Sequence, residues 1–192
     1  MLHYSAPPVV GGVEAVIHAH TQTLARAGYP VTVVAGRGEA GALPEGVDLV
    51  LVPEIDSQYA EIARLSAQLE QGRVPPGFEA MSARLGAALA PILSRFDNVI
   101  VHNILTKHFN LPLTAAFDRM LDGAPAPHCI AWCHDLTWTS PSSGSKVQPG
   151  YPWDLLRTHR QDVTYVVVSQ QRQHELAGLF SCPAEEIHVV YN

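Results

Sequence analysis

A chain of 192 residues that is 47% hydrophobic and 16% charged suits one domain with a sizeable core and is too apolar for wholesale disorder. Its formal net charge of −6 excludes broad nucleic-acid binding, because no basic field exists to displace counterions from phosphates. A local anion site stays open, since backbone amides at a helix start hold a phosphate without Lys or Arg.

Short apolar runs alternate with helical periodicity along the chain. Residues 1–5 read as a strand, and residues 13–27 as a helix with Val13, Val16, Ile17, Leu24 and Ala27 on one stripe and Gly28 as its stop. Strands follow at 31–35 and 47–52. Two helices are predicted at about 58–71 and 78–96, separated by the breaker Val74-Pro75-Pro76-Gly77. Residues 98–102 read as a strand, 111–121 as a helix and 128–133 as a strand. A polar loop spans 135–152, then come a helical stretch at 153–160, a β-branched strand at 163–168, a helix at 170–180 and a last strand at 187–191. The strands are continuous apolar runs, so both sheet faces are expected to be covered. That predicts a single Rossmann-like α/β domain with a three-layer parallel sheet flanked by helices.

The cysteines Cys129, Cys133 and Cys182 are odd in number, which disfavours a disulfide scaffold and fits a reducing cytoplasm. Met1-Leu2-His3-Tyr4 has no basic region before Pro7-Pro8, so no signal peptide is expected. No apolar stretch reaches the ~18–20 residues of a membrane span. Peripheral membrane contact through a helix face stays open.

Ligands of such sheets sit outside the carboxyl ends of the strands. In the first loop, Pro7-Pro8 stiffens the approach and Gly11-Gly12 removes side chains where the chain turns into its first helix. Free N–H groups and the positive helix end there can meet a phosphate or a sugar hydroxyl, or the glycines can simply serve a tight turn. Gly36-Arg37-Gly38-Glu39-Ala40-Gly41 matches a dinucleotide fingerprint, but Leu43-Pro44-Glu45-Gly46 leads into a strand rather than a helix, which argues against NAD. His102-Asn103 and Cys133-His134-Asp135 end two strands at the cleft rim. His134 titrates near neutrality, which suits hydrogen bonding to substrate or stabilisation of developing charge, and Asp135 can orient it or cap the next turn. Both histidines can equally satisfy strand-end carbonyls.

Cys129-x3-Cys133-His134 invites a zinc reading, but residues four apart on a strand lie ~13 Å from each other, too far for one tetrahedral ion. His20 falls on the apolar stripe of the first helix, as core or cleft wall. Ser169 reads as the N-cap of the helix after it. Arg157, His159 and Arg160 form a small basic group that meets an anion or is a solvated face. Trp132, Trp138, Tyr151 and Trp153 surround the polar loop, suiting either sugar stacking or core packing.

Taken together, several segments resemble retaining GT-B glycosyltransferases of the family 4 (group 1) type. Gly11-Gly12-Val13-Glu14, with Leu24-Ala25-Arg26-Ala27-Gly28-Tyr29-Pro30-Val31-Thr32-Val33-Val34 after the helix, is similar to the family's opening; Tyr29 stands where His is usual. Val99-Ile100-Val101-His102-Asn103, Trp132-Cys133-His134-Asp135, Val167-Val168-Ser169 and Ile187-His188-Val189-Val190-Tyr191-Asn192 resemble its later strand ends, in order. The resemblance implies the acceptor-side half of an enzyme that transfers a sugar from a nucleotide-sugar donor to a hydroxyl of a sugar, lipid-linked or small-molecule acceptor, with retention. It implies that Gly11 and Gly12 approach the donor diphosphate and that His134 is catalytic. Glu14, His102, Asn103 and Asp135 would line the acceptor site. No metal or other cofactor is expected, and a second domain with the nucleotide-sugar pocket would lie outside this chain. Two alternatives are a non-catalytic glycan- or head-group-binding module and an NAD enzyme.

Overall fold

A computed structural model describes residues 1–123 and 126–192. Seven strands, all parallel, form one sheet in the order β3-β2-β1-β4-β5-β6-β7. They are β1 (Leu2–His3), β2 (Val31–Ala35), β3 (Val47–Leu51), β4 (Asn98–His102), β5 (His128–Cys133), β6 (Val163–Val167) and β7 (Ile187–Val189). The crossovers carry α1 (Gly12–Arg26), α2 (Ala60–Leu69), α3 (Phe78–Leu93), α4 (Leu111–Leu121) and α5 (Gln170–Phe180). This is the expected Rossmann-like α/β class, and its physical cause is visible in β2. Val31, Val33 and Ala35 pack with Ile17 of α1 on one face, while Val34 joins Ile62, Leu85 and Phe117 of the opposite layer. A strand buried on both sides has no polar face to alternate with.

The ranges predicted for β2, β4, α4, β5 and α5 are those observed. Three differences have local reasons. Helix α1 ends at Arg26, and Ala27, expected on the buried stripe, is exposed. Gly28 adopts φ 84°, its N–H donates to the Ala25 carbonyl and that of Tyr29 to the Leu24 carbonyl, a Schellman closure that stops the helix. Helix α2 starts two residues later than expected because Asp56 Oδ1 takes the Gln58 N–H at 2.9 Å and holds the chain in a turn. The stretch 153–160 is a short 3₁₀ helix, Trp153–Arg157, because the Thr158 hydroxyl donates to the Asp154 carbonyl at 2.8 Å, closing the turn locally.

Candidate functional site

The strand order reverses direction at β1, which lies between β2 and β4, so the crevice opens where β1, β4 and β5 end. Three of those ends carry buried histidines: His3, His102 and His134. The His3 Nδ1 lies 3.0 Å from the His102 carbonyl oxygen. A carbonyl only accepts, so this nitrogen carries the proton. His102 Nδ1 and His134 Nε2 are 3.1 Å apart, with the two rings stacked at 22°. Neighbouring His20 stands edge-on to Trp132 with centroids 4.4 Å apart.

Burial governs the charge state of this group. It pulls His134 down from 6.5 to about 4, with His3 and His20 adding to the effect and Asp135 opposing it. His102 is fully buried and held well below its ordinary value, by burial first and then by His3 and His134. Its ring lies behind His134, so it reaches the cleft only through that neighbour. At neutral pH the set is uncharged.

Glu14, on the first turn of α1, is also buried, and Ser5 Oγ donates to its Oε1 at 2.5 Å. The same oxygen is 3.8 Å from His3 Nε2. Polar groups therefore line up from the start of α1 to His134: Glu14 faces His3, His3 donates to the His102 carbonyl, and the His102 ring meets His134. The two glycines beside it differ in what they allow. A Cβ on Gly11 would collide with the Glu14 carboxylate, whereas one on Gly12 would meet no protein atom within 4 Å. Gly11 caps α1 with no side-chain acceptor, so the first-turn amides point outward unpaired at the positive helix end.

Asn103 holds the two strand ends together. Its φ of 62° is left-handed, a conformation Asn tolerates. Its Oδ1 accepts the N–H groups of His134 at 2.8 Å and Asp135 at 3.2 Å, and its own N–H donates to the Trp132 carbonyl at 3.0 Å. The Asp135 carboxylate pairs with Arg172 of α5 at 3.3 Å. Lys107, which sequence reasoning passed over, lies buried at the same rim, its ammonium 4.8 Å from the Phe109 ring centroid and its pKa lowered, chiefly by burial. No motif marks it; only the loop after β4, which folds back through the Thr106 and Lys107 amides onto the Asn103 carbonyl, brings it there.

Other sequence features resolve as structure. The loop after β2 contains only a 3₁₀ turn, Ala40–Ala42, so the dinucleotide-like glycines meet no helix dipole. They instead buttress the first loop: Gly36 packs on Asp56 and Gly38 on Ala6, while Ala6 N–H donates to the Arg37 carbonyl. Burial holds the Cys129 and Cys133 thiols up to about 12, leaving them protonated core residues. Ser169 accepts the Arg172 N–H at 3.2 Å as the N-cap of α5. Trp153 is buried with Phe78 and Leu111 beneath the polar loop, and the Trp138 indole donates to its carbonyl, so core packing prevails for this pair. The basic group at 157–160 does not act together. Arg160 is held by Asp118, Asp122 and Asp162, Arg157 by Asp154, and His159 faces Glu186.

Fold and strand order together define a Rossmann-like domain with a candidate site at the ends of β1, β4 and β5. The model of Glycosyltransferase Family 4 matches residues 10–192, and the chain belongs to that family. No curated protein matches the sequence. No described helix is long and apolar enough to cross a membrane.

Proposed function

We propose that this chain is the acceptor-side half of a retaining GT-B glycosyltransferase that works with a second α/β domain holding a nucleotide-sugar donor. The observation that carries the reading is the row of buried polar groups that runs from the uncapped first turn of α1 to His134. In this reading the first-turn amides face the donor diphosphate, with Gly12 leaving the space the phosphates need and Gly11 letting Glu14 fold inward.

During transfer the bond from the sugar C1 to the diphosphate oxygen breaks, and a bond from C1 to the acceptor oxygen forms on the same face. The acceptor proton leaves with a diphosphate oxygen. His134, neutral at pH 7, orients a sugar hydroxyl by hydrogen bonding rather than by charge. Asp135, with its carboxylate half exposed beside Arg172, meets the acceptor, while Glu14, His102 and Asn103 line the site behind it. The donor charge is met by amides and side-chain cations, so the reaction needs no metal, and the enzyme acts in the cytoplasm on a sugar, lipid-linked or small-molecule acceptor.

The test is made in the protein carrying both domains, with nucleotide sugars as donors. Product released by the wild type keeps the donor's anomeric configuration, and an inverted product refutes retention. The His134→Ala variant loses turnover far more than it loses thermal stability; parallel losses in both would make His134 structural.

A further inference from the structure

At the opposite ends of β5, β6 and β7 from the crevice, three side chains of different chemistry converge. His159 lies in the approach to β6, Cys182 follows α5, and Glu186 ends the 3₁₀ turn Ala184–Glu186 before β7. A ring nitrogen of His159, the Cys182 Sγ and a Glu186 carboxylate oxygen all lie within 4.8 Å of one another. We propose that these three residues bind a zinc ion, with water completing the tetrahedron.

The backbone and the core hold two of the ligands in place. The His159 ring stacks on Phe180 at 16° with centroids 5.3 Å apart and leans on Tyr165, which fixes its plane and leaves Nε2 facing the Glu186 carboxylate at 3.8 Å. Ser181 adopts φ 55°, and the Cys182 N–H donates to the Ala177 carbonyl, so the closure of α5 directs the chain at Cys182. The third ligand, Glu186, is exposed and free to adjust. The cluster adjoins a polar cavity of about 260 Å³ that His159 and Glu186 line with His188, giving an ion and its water an entry.

The donor set selects the ion. One thiolate, one imidazole and one carboxylate favour zinc over magnesium or calcium, which take oxygen ligands alone. A thiolate and a carboxylate also balance a dipositive ion. Cys182 surrenders its proton to solvent as it binds, so uptake weakens as pH falls. Because the three ligands belong to the segments before β6, after α5 and before β7, the ion would fasten this edge of the sheet, remote from the transfer chemistry.

The experiment uses the 192-residue chain freed of metal by chelation and titrated with zinc chloride. Calorimetry shows one high-affinity site, a rise in Tm accompanies it, and magnesium gives neither. Cys182→Ser and His159→Gln each weaken zinc by more than the ~10–100-fold typical of outer-shell changes, while His174→Gln, on an exposed turn of α5, leaves it unchanged. The metal-free Tm of each variant shows that it folds. Cobalt in the wild type gives a thiolate-to-metal charge-transfer band that Cys182→Ser abolishes. Absence of that band, or equal zinc affinity in Cys182→Ser and wild type, overturns the proposal.

Discussion

Lowering the pH should unfold this domain through its buried imidazoles, and the magnitude follows from their surroundings. His134 is held at about 4 in the folded chain against 6.5 when solvated. The folded value is the lower one, so the unfolded chain binds more protons throughout that window. Stability contributed by neutral His134 is therefore complete above pH 6.5 and is lost as pH falls toward 4. At about 1.4 kcal/mol per pH unit the total is about 3 kcal/mol. His108, also pulled down to about 4 by burial and by Lys107 and Lys146, adds a parallel loss of similar size. Urea midpoints between about pH 7 and about pH 4.5 measure the slope, and His134→Gln should remove one proton's share of it, about 1.4 kcal/mol per pH unit. The imidazole proton resonances supply a direct check. A folded-state His134 titrating near 6.5, or a stability flat across the range, refutes the argument.

The two loop glycines should separate. Gly11→Ala drives the Glu14 carboxylate off Ser5 and costs about 1–2 kcal/mol by urea unfolding. Gly12→Val, whose Cβ meets no protein atom within 4 Å, stays within about 0.5 kcal/mol of wild type yet abolishes donor turnover in the proposed two-domain enzyme. A Gly12→Val enzyme of normal activity would remove the glycine from the donor site. Ser169→Ala, losing the cap of α5, lowers stability by about 1 kcal/mol in the same assay. Asn103→Ala strands the His134 and Asp135 amides and costs on the order of 2–4 kcal/mol, whereas Asn103→Asp keeps the accepting oxygen and most of the stability. An Asn103→Ala domain as stable as wild type would mean that Asn103 is no clamp.

The sheet was legible because its signals are local: a run such as Val31-Thr32-Val33-Val34-Ala35 is apolar on both faces wherever it is placed. Helix ends were less so, since the stop at Arg26 and the turn at Asp56 depend on a glycine φ and on a side chain capturing an amide. At the crevice, His102, Asn103 and His134 were found from their place at strand ends, because parallel pairing brings those ends together. Contacts between distant loops were not legible. Nothing in the sequence says that Glu14 turns inward to Ser5, that Asp135 pairs with Arg172 rather than His134, or that Arg160 is enclosed by three aspartates. Those partners lie up to 42 residues apart, at separations no periodicity reports.

The charge state of His134 can be traced back to strand register. β4 and β5 pair with His102 opposite Trp132, and the Asn103 amide extends the ladder by donating to the Trp132 carbonyl. The left-handed φ of Asn103 then turns its chain aside, while its side-chain oxygen holds the two amides that follow β5. That fixes the backbone of His134 beside β4, where its ring comes to rest against His102. Burial there removes water without supplying a counter-charge, and His3 and His20 add to the effect, so the proton leaves. A carboxylate in the place of His102 would instead supply a counter-charge that opposes the effect of burial. Burial thus makes His134 neutral, with His3 and His20 adding to the effect, and the residue that brings its backbone beside β4 is Asn103.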